Sequence, residues 1–204
     1  MRQDTLFPVA NDIEPQIVSD SKVNPVHVGR GKGINERYTD SVYLEAARDV
    51  MGSIDLDPAS CQLANENVKA AKYYTKNDNG LNFVWEGNIW MNPPYSGKIG
   101  KNDVVVLFCE KLVDDLDNGH AKQACVLLNN ATETKYIQLM LKRSNAVCFP
   151  STRCFFFTDP ALLENPEDNK PTKGLQGQVI FYFGDKIEDF VKRFGQFGAT
   201  FRVR

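Results

Sequence analysis

The residues of this chain best suited to chemistry are Asn92, Pro93, Pro94 and Tyr95, which follow the apolar run Ile89-Trp90-Met91. The run suits a sheet interior and the proline pair ends its ladder, so Asn92 is expected at a strand's carboxyl end. Consecutive prolines fix φ twice and remove two backbone donors, which leaves the neighbouring carbonyls to accept from a group outside the chain. The Asn92 amide oxygen and the Pro93 carbonyl can both accept from one planar –NH2 group, while the Tyr95 ring stacks on the heterocycle or amide that carries it. An exocyclic amine matches that arrangement. The same four residues also fit an ordinary Pro-Pro turn with Tyr95 packed in a core.

Elements on both sides must hold this tetrapeptide. A helix is expected from Tyr38-Thr39-Asp40, with Thr39 or Asp40 as cap, apolar Leu44, Ala47, Val50 and Met51 at helical spacing, and Gly52 as its end. Ser53 to Leu56 reads as a short strand, from which Asp57-Pro58-Ala59-Ser60 turns into a helix from about Gln62 to Tyr73. Ligands of open α/β sheets sit beyond strand carboxyl ends, where a carboxylate such as Asp57 accepts from ribose hydroxyls or an ammonium group. An Asp-Pro turn equally well starts a helix. No Gly-x-Gly turn is present, and a cofactor without pyrophosphate does not require one. Lys76-Asn77-Asp78-Asn79-Gly80-Leu81 is the strongest turn signal.

Beyond Tyr95, Ser96 to Asn102 reads as a Gly/Lys loop, and Val105, Phe108, Cys109, Leu112 and Leu116 mark a helix face. Ala124 to Leu128 is a buried strand whose end, Asn129 to Thr134, lies near the same cleft or caps the helix carrying Tyr136, Ile137, Met140 and Leu141. Three further strands are expected at 146–149, 154–157 and 179–183, then a helix with Ile187, Phe190, Val191 and Phe194, and an edge strand at 200–203. The polar, proline-bearing stretch from Thr158 to Gln176 is long enough to be functional or disordered. Alternating strands and helices argue an α/β fold of three layers, a Rossmann-like sheet that is mostly parallel with antiparallel later strands. Residues 1–35 lack periodicity and read as a flexible arm, in which Arg30 and Lys32 touch phosphate or merely solvate a Gly-rich linker; residues 36–204 read as a single domain.

With 24 Lys and Arg against 26 Asp and Glu, the chain as a whole does not announce a polyanion partner, so nucleic-acid contact must come from a local patch. Lys98, Lys101, Arg153, Lys170 and Lys173 are the candidates, although solvated cations are the commoner finding. Cys61, Cys109, Cys125, Cys148 and Cys154 form no C-x-x-C pair and His27 and His120 lie far apart, so no metal site is expected. The odd cysteine count and the absence of an apolar run of ~18 residues suggest a cytoplasmic protein without a membrane span.

Several segments occur in a characteristic order: Arg37-Tyr38-Thr39-Asp40, Ile54-Asp55-Leu56-Asp57-Pro58-Ala59-Ser60, Lys72-Tyr73-Tyr74-Thr75, Asp78-Asn79-Gly80-Leu81, Asn92-Pro93-Pro94-Tyr95-Ser96, Leu127 to Thr134 and Leu175-Gln176-Gly177-Gln178. Together they resemble the phage-type DNA N-6-adenine methyltransferase (Dam) family over roughly residues 36 to 184. The resemblance implies an S-adenosylmethionine-dependent enzyme acting on double-stranded DNA in the bacterial host cytoplasm, with Asn92, Pro93, Pro94 and Tyr95 catalytic. It also implies cofactor contacts from Tyr38, Thr39, Asp55, Asp57, Pro58, Ala59 and Asp78. Asp40 stands where the family usually has proline. Asn-Pro-Pro-Tyr serves any planar amine, so methylation of RNA or a protein glutamine is a second reading, and an idle nucleotide- or DNA-binding module a third.

Overall fold

The computed structural model describes residues 37–158, 160 and 169–203. The expected arm at 1–35, with Arg30 and Lys32, and most of the segment 159–168 lie outside the described residues. The main sheet is mixed and is built from β2 (Leu56–Asp57), β3 (Lys72–Tyr73), β4 (Gly87–Met91), β7 (Ala121–Asn129), β8 (Ala146–Pro150), β11 (Gln178–Phe183) and β12 (Gly198–Arg202). Across the sheet their order is β12-β8-β11-β7-β4-β2-β3. β2, β3, β4 and β7 are parallel, whereas β11 runs antiparallel to β7 and β8, and β12 antiparallel to β8.

Period-2 alternation sends each central strand's side chains to two different cores. Ile89, Met91, Ala124, Val126, Leu128 and Phe181 pack on one face with α3 (Val104–Asp117) and α4 (Lys135–Arg143). Trp90, Cys125, Leu127, Ile180 and Tyr182 pack on the other with α1 (Ser41–Met51) and α5 (Ile187–Phe194). Helices on both faces explain why these strands read as continuous apolar runs.

Asp40 caps α1 by accepting from Val42 N at 3.1 Å, as its sequence position suggests, and Gly52 closes the helix at φ 91. α2 (Gln62–Val68) is shorter than expected from composition. The Asn65 side chain binds both Ala70 N, at 2.9 Å, and Ala70 O, at 3.2 Å, and thereby ends the helix so that β3 can form. The strand expected at Ser53 to Leu56 is confined to Leu56–Asp57, because Ser53 and Asp55 turn their side chains to one another at 2.8 Å. The expected Gly/Lys loop is a hairpin of β5 (Lys98–Ile99) and β6 (Asn102–Asp103) joined by Gly100-Lys101. The strand of the Phe run, β9 (Phe155–Thr158), leaves the main sheet and pairs with β1 (Arg37–Thr39) and β10 (Thr172–Lys173).

A polar cluster lies under the parallel strands. Asn88 N donates to Asp55 at 2.8 Å, Gln123 Nε2 donates to Asn88 Oδ1 at 3.0 Å and to Met51 O at 2.9 Å, and Tyr182 OH donates to Gln123 Oε1 at 2.8 Å. Lys186 N donates in turn to the Tyr182 hydroxyl at 3.2 Å. Each polar atom in this chain of bonds is offset by a partner, so removing one link leaves others buried and unpaired. Tyr182→Phe is accordingly expected to destabilise the fold by about 1 to 3 kcal/mol, read as a lower urea midpoint at unchanged slope.

Candidate active site

The carboxyl ends of β2, β4 and β7 lie along one edge of the sheet, because Leu56 pairs with Ile89 and Met91 with Val126 in parallel register. Asp57, Asn92 and Asn129 stand at that edge. From β2 the chain passes outward to β3, then returns to β4 on the other side of β2 and continues to β7. Open α/β sheets hold their ligands in the crevice at such a reversal, which here falls between the ends of β2 and β4.

On the β2 side, Asp57 is 4 % exposed and its carboxylate accepts from Ala59 N at 3.1 Å. Burial raises its pKa to about 6, against the opposing help of the Ala59 N–H. The turn behind it is held firmly. Tyr74 N donates to Asp57 O at 3.0 Å, Ser60 N donates to Tyr74 O at 2.8 Å, and Gly80 packs so closely on the Pro58 carbonyl that a side chain there would collide with it. Trp85 Nε1 donates to Gly80 O at 2.9 Å and fixes that contact from the core. Pro58 is buried and Ala59 half-buried.

On the β4 side, Asn92 is half-buried and its Nδ2 donates to Thr39 Oγ1 at 3.3 Å, across 53 residues of chain. Its Oδ1 and the Pro93 carbonyl accept no hydrogen bond among the described residues. Pro93 is buried, while Pro94 and Tyr95 are exposed. Tyr95 is 38 % exposed as a residue, and its hydroxyl is engaged: Asn129 N donates to it at 2.7 Å, and burial raises its pKa. The Tyr136 ring meets Tyr95 edge-on at 6.3 Å.

Strand β1 joins the two sides. Tyr38 reaches the start of α2, where Cys61 Sγ donates to its hydroxyl at 3.7 Å, and its neighbour Thr39 faces Asn92. Both carboxylates of the remaining expected cofactor contacts are engaged within the protein. Asp55 accepts from Ser53 Oγ and Asn88 N, and Asp78 accepts from Thr75 N at 2.8 Å and Thr75 Oγ1 at 2.6 Å, bonds that lower its pKa.

The candidate cations lie on separate segments. Lys98 and Lys101 are exposed on the hairpin that follows Tyr95, with Lys98 3.6 Å from Asp103. Lys170 is exposed, and Lys173 lies over the Phe155 ring at 5.8 Å. Arg153 is occupied differently from a free phosphate clamp: its Nη1 donates to the carbonyls of Gly174 and Leu175. Helical spacing places Tyr136 on a core-facing stripe and does not reveal its contact with Tyr95. Only its position just after the Asn129 to Thr134 segment signals the cleft.

A model of the family described as DNA N-6-adenine-methyltransferase (Dam) matches residues 38–192, a span that contains Tyr38, Asp57, Asn92 and Tyr95. The chain belongs to that family. No curated protein matches it. Membership makes the crevice the place to look for methyl-transfer chemistry, and the donor set there fits a nucleoside cofactor bearing an ammonium group: a buried carboxylate with acceptor capacity to spare, and no cation of the protein paired to it among the described residues.

The titration of Asp57 gives a signed expectation. Its pKa of about 6 in the fold exceeds the ordinary 3.8, so the unfolded chain loses the proton first and stability falls as pH rises from about 4 through 6. A ligand that pairs with the carboxylate prefers the ionised form, and its affinity should therefore rise over the same window. Calorimetry from pH 5 to 8 is expected to show S-adenosylmethionine binding that strengthens up to neutrality in the wild type. Asp57→Asn should bind weakly with a flat profile.

Proposed function

We propose that the protein transfers a methyl group from S-adenosylmethionine to the N6 amine of adenine in double-stranded DNA, on a Rossmann-like sheet within a single domain from residue 36. The observation that carries this reading is the convergence at one strand reversal of the buried Asp57 carboxylate and the half-buried Asn92 amide, whose oxygen accepts no hydrogen bond among the described residues and which is followed by a rigid proline pair. Family membership supports the same reaction.

In this reading Asp57 accepts from the cofactor's hydroxyls or ammonium group, and Tyr38, Thr39, Pro58 and Ala59 frame that pocket. Asp55 and Asp78 serve it indirectly, Asp55 by fixing β4 and Asp78 by closing the turn at Thr75. The cofactor supplies an electrophilic methyl carried on a positive sulfonium. A paired adenine cannot present its amine to a crevice of this kind, so the base leaves the duplex, at a cost of about a few kcal/mol, and stacks on Tyr95. Asn92 Oδ1 and the Pro93 carbonyl accept the two N6 hydrogens, which directs the nitrogen lone pair away from them and toward the methyl group. Pro94 keeps both acceptors rigid. Fixed dipoles and alignment provide most of the rate, and no strong base is required because the proton leaves after attack.

The deciding experiment offers unmethylated duplex DNA, RNA and a glutamine peptide to the protein with methyl-labelled S-adenosylmethionine, followed by nucleoside and amino-acid analysis. Label in N6-methyldeoxyadenosine is expected. Label confined to RNA or glutamine, or no cofactor binding at all, would overturn the reading. Asn92→Ala should lower kcat by at least about 100-fold, in line with the ~2.7 to 4 kcal/mol lost with one acceptor or donor used in the transition state, while cofactor affinity stays within twofold.

Lys98, Lys101, Lys170 and Lys173 are proposed to meet phosphates, and Arg153 to hold the loop between them. Replacing Lys170 and Lys173 together with Ala is expected to flatten the dependence of log affinity on log salt by about 0.9 for each phosphate that is no longer neutralised. Affinity and slope unchanged from wild type would return both lysines to the solvent.

A further inference from the structure

Leu175 is the most exposed large hydrophobic side chain among the described residues, at 60 %. Single exposed leucines are ordinary. This one stands on a loop whose backbone is held at every step. Gly174 N donates to Cys154 O at 2.8 Å, and Arg153 Nη1 donates to the carbonyls of Gly174, at 3.4 Å, and Leu175, at 3.3 Å. The Gln176 carbonyl accepts from Gln178 Nε2 at 2.5 Å, and the Gly177 carbonyl from Asn130 N at 3.0 Å. Gln178 is itself buried, with its Oε1 accepting from Cys154 N at 2.8 Å. At Gly177 a Cβ would come within 2.6 Å of the Asn130 amide, so the loop lies directly on the segment that follows β7.

The last residue of β7, directly before that segment, holds the Tyr95 hydroxyl. Asn129, which faces Gln178 in the β7–β11 pairing, donates its N–H to the Tyr95 hydroxyl. Leu175 therefore stands on the same strand edge as Tyr95, on a fastened loop, with Lys173 exposed two residues before it. A stiff backbone that offers an apolar side chain to solvent beside a cation suits insertion between stacked bases, where backbone phosphates meet the cation and the side chain fills an apolar gap.

We propose that Leu175 is a wedge that enters the duplex at the position vacated by the target adenine, and that Arg153 is the positioning residue that keeps the wedge loop in shape. This rests on the duplex-DNA reading above. The wedge offsets the stacking lost when the base leaves, so its value is confined to substrates whose target must be unpaired.

The test uses a 60-base-pair sequence that the wild-type protein methylates, either fully paired or with cytosine opposite each target adenine. If the wild type methylates no duplex, the functional reading fails before Leu175 is examined. Otherwise Leu175→Ala is expected to lose at least tenfold in kcat/KM on the paired duplex and no more than twofold on the mispaired one. The quantity that decides is the ratio of the two losses. A ratio of fivefold or more supports the wedge; a smaller ratio, whether because neither substrate suffers or because both suffer alike, overturns it. Because the comparison is made within one variant, any loss of folded protein cancels.

Discussion

Parallel strands have no hairpin to set their register, and a strand buried on both faces has no polar side to reveal a slip. Here the register of β4 against β2 and β7 depends on buried polar contacts at the foot of the sheet. Asp55 accepts the N–H of Asn88, and the Asn88 amide in turn accepts from Gln123, its cross-strand partner. These bonds can form in one alignment only. That alignment brings the ends of β2, β4 and β7 to one edge, so the position of every group in the crevice is decided at the opposite end of the strands.

At the crevice the protein relies little on flexible side chains. Asp57 sits on a turn closed by two backbone bonds to Tyr74, and Asn92 is followed by two prolines. The Tyr95 ring is anchored through its hydroxyl to Asn129. Preorganisation of this kind suits chemistry in which an electrophile is already activated and the enzyme's task is alignment. The Asp57 carboxylate is held against its preference, since burial resists its ionisation.

The second sheet, β1-β9-β10, links parts of the site that are distant in the chain. Through β1 it delivers Thr39 to Asn92 and Tyr38 to Cys61, and through β9 and β10 it carries Arg153 and Lys173 to the loop around Leu175. With the chain's charge nearly balanced, the proposed phosphate contacts fall to individual cations such as Lys173 on β10 rather than to a basic face.

The alternating α/β plan, the cap of α1 at Asp40, the apolar strands β4, β7 and β11, and the Asn-Pro-Pro-Tyr segment are all legible in the chain before it folds, because each is written in local periodicity or in residues whose backbone limits are intrinsic. The family is legible for the same reason: its segments are short and contiguous. Other features exist only once the chain has folded: β9 leaves the main sheet for β1, and Arg153 holds backbone carbonyls. The fold also selects which carboxylates at the strand ends keep acceptor capacity, since Asp55, Asp57 and Asp78 are the same kind of residue in the sequence and differ only in what is placed beside them. Pairing between residues far apart in the chain leaves no local trace, because its energy comes from partners that meet only once the chain has closed.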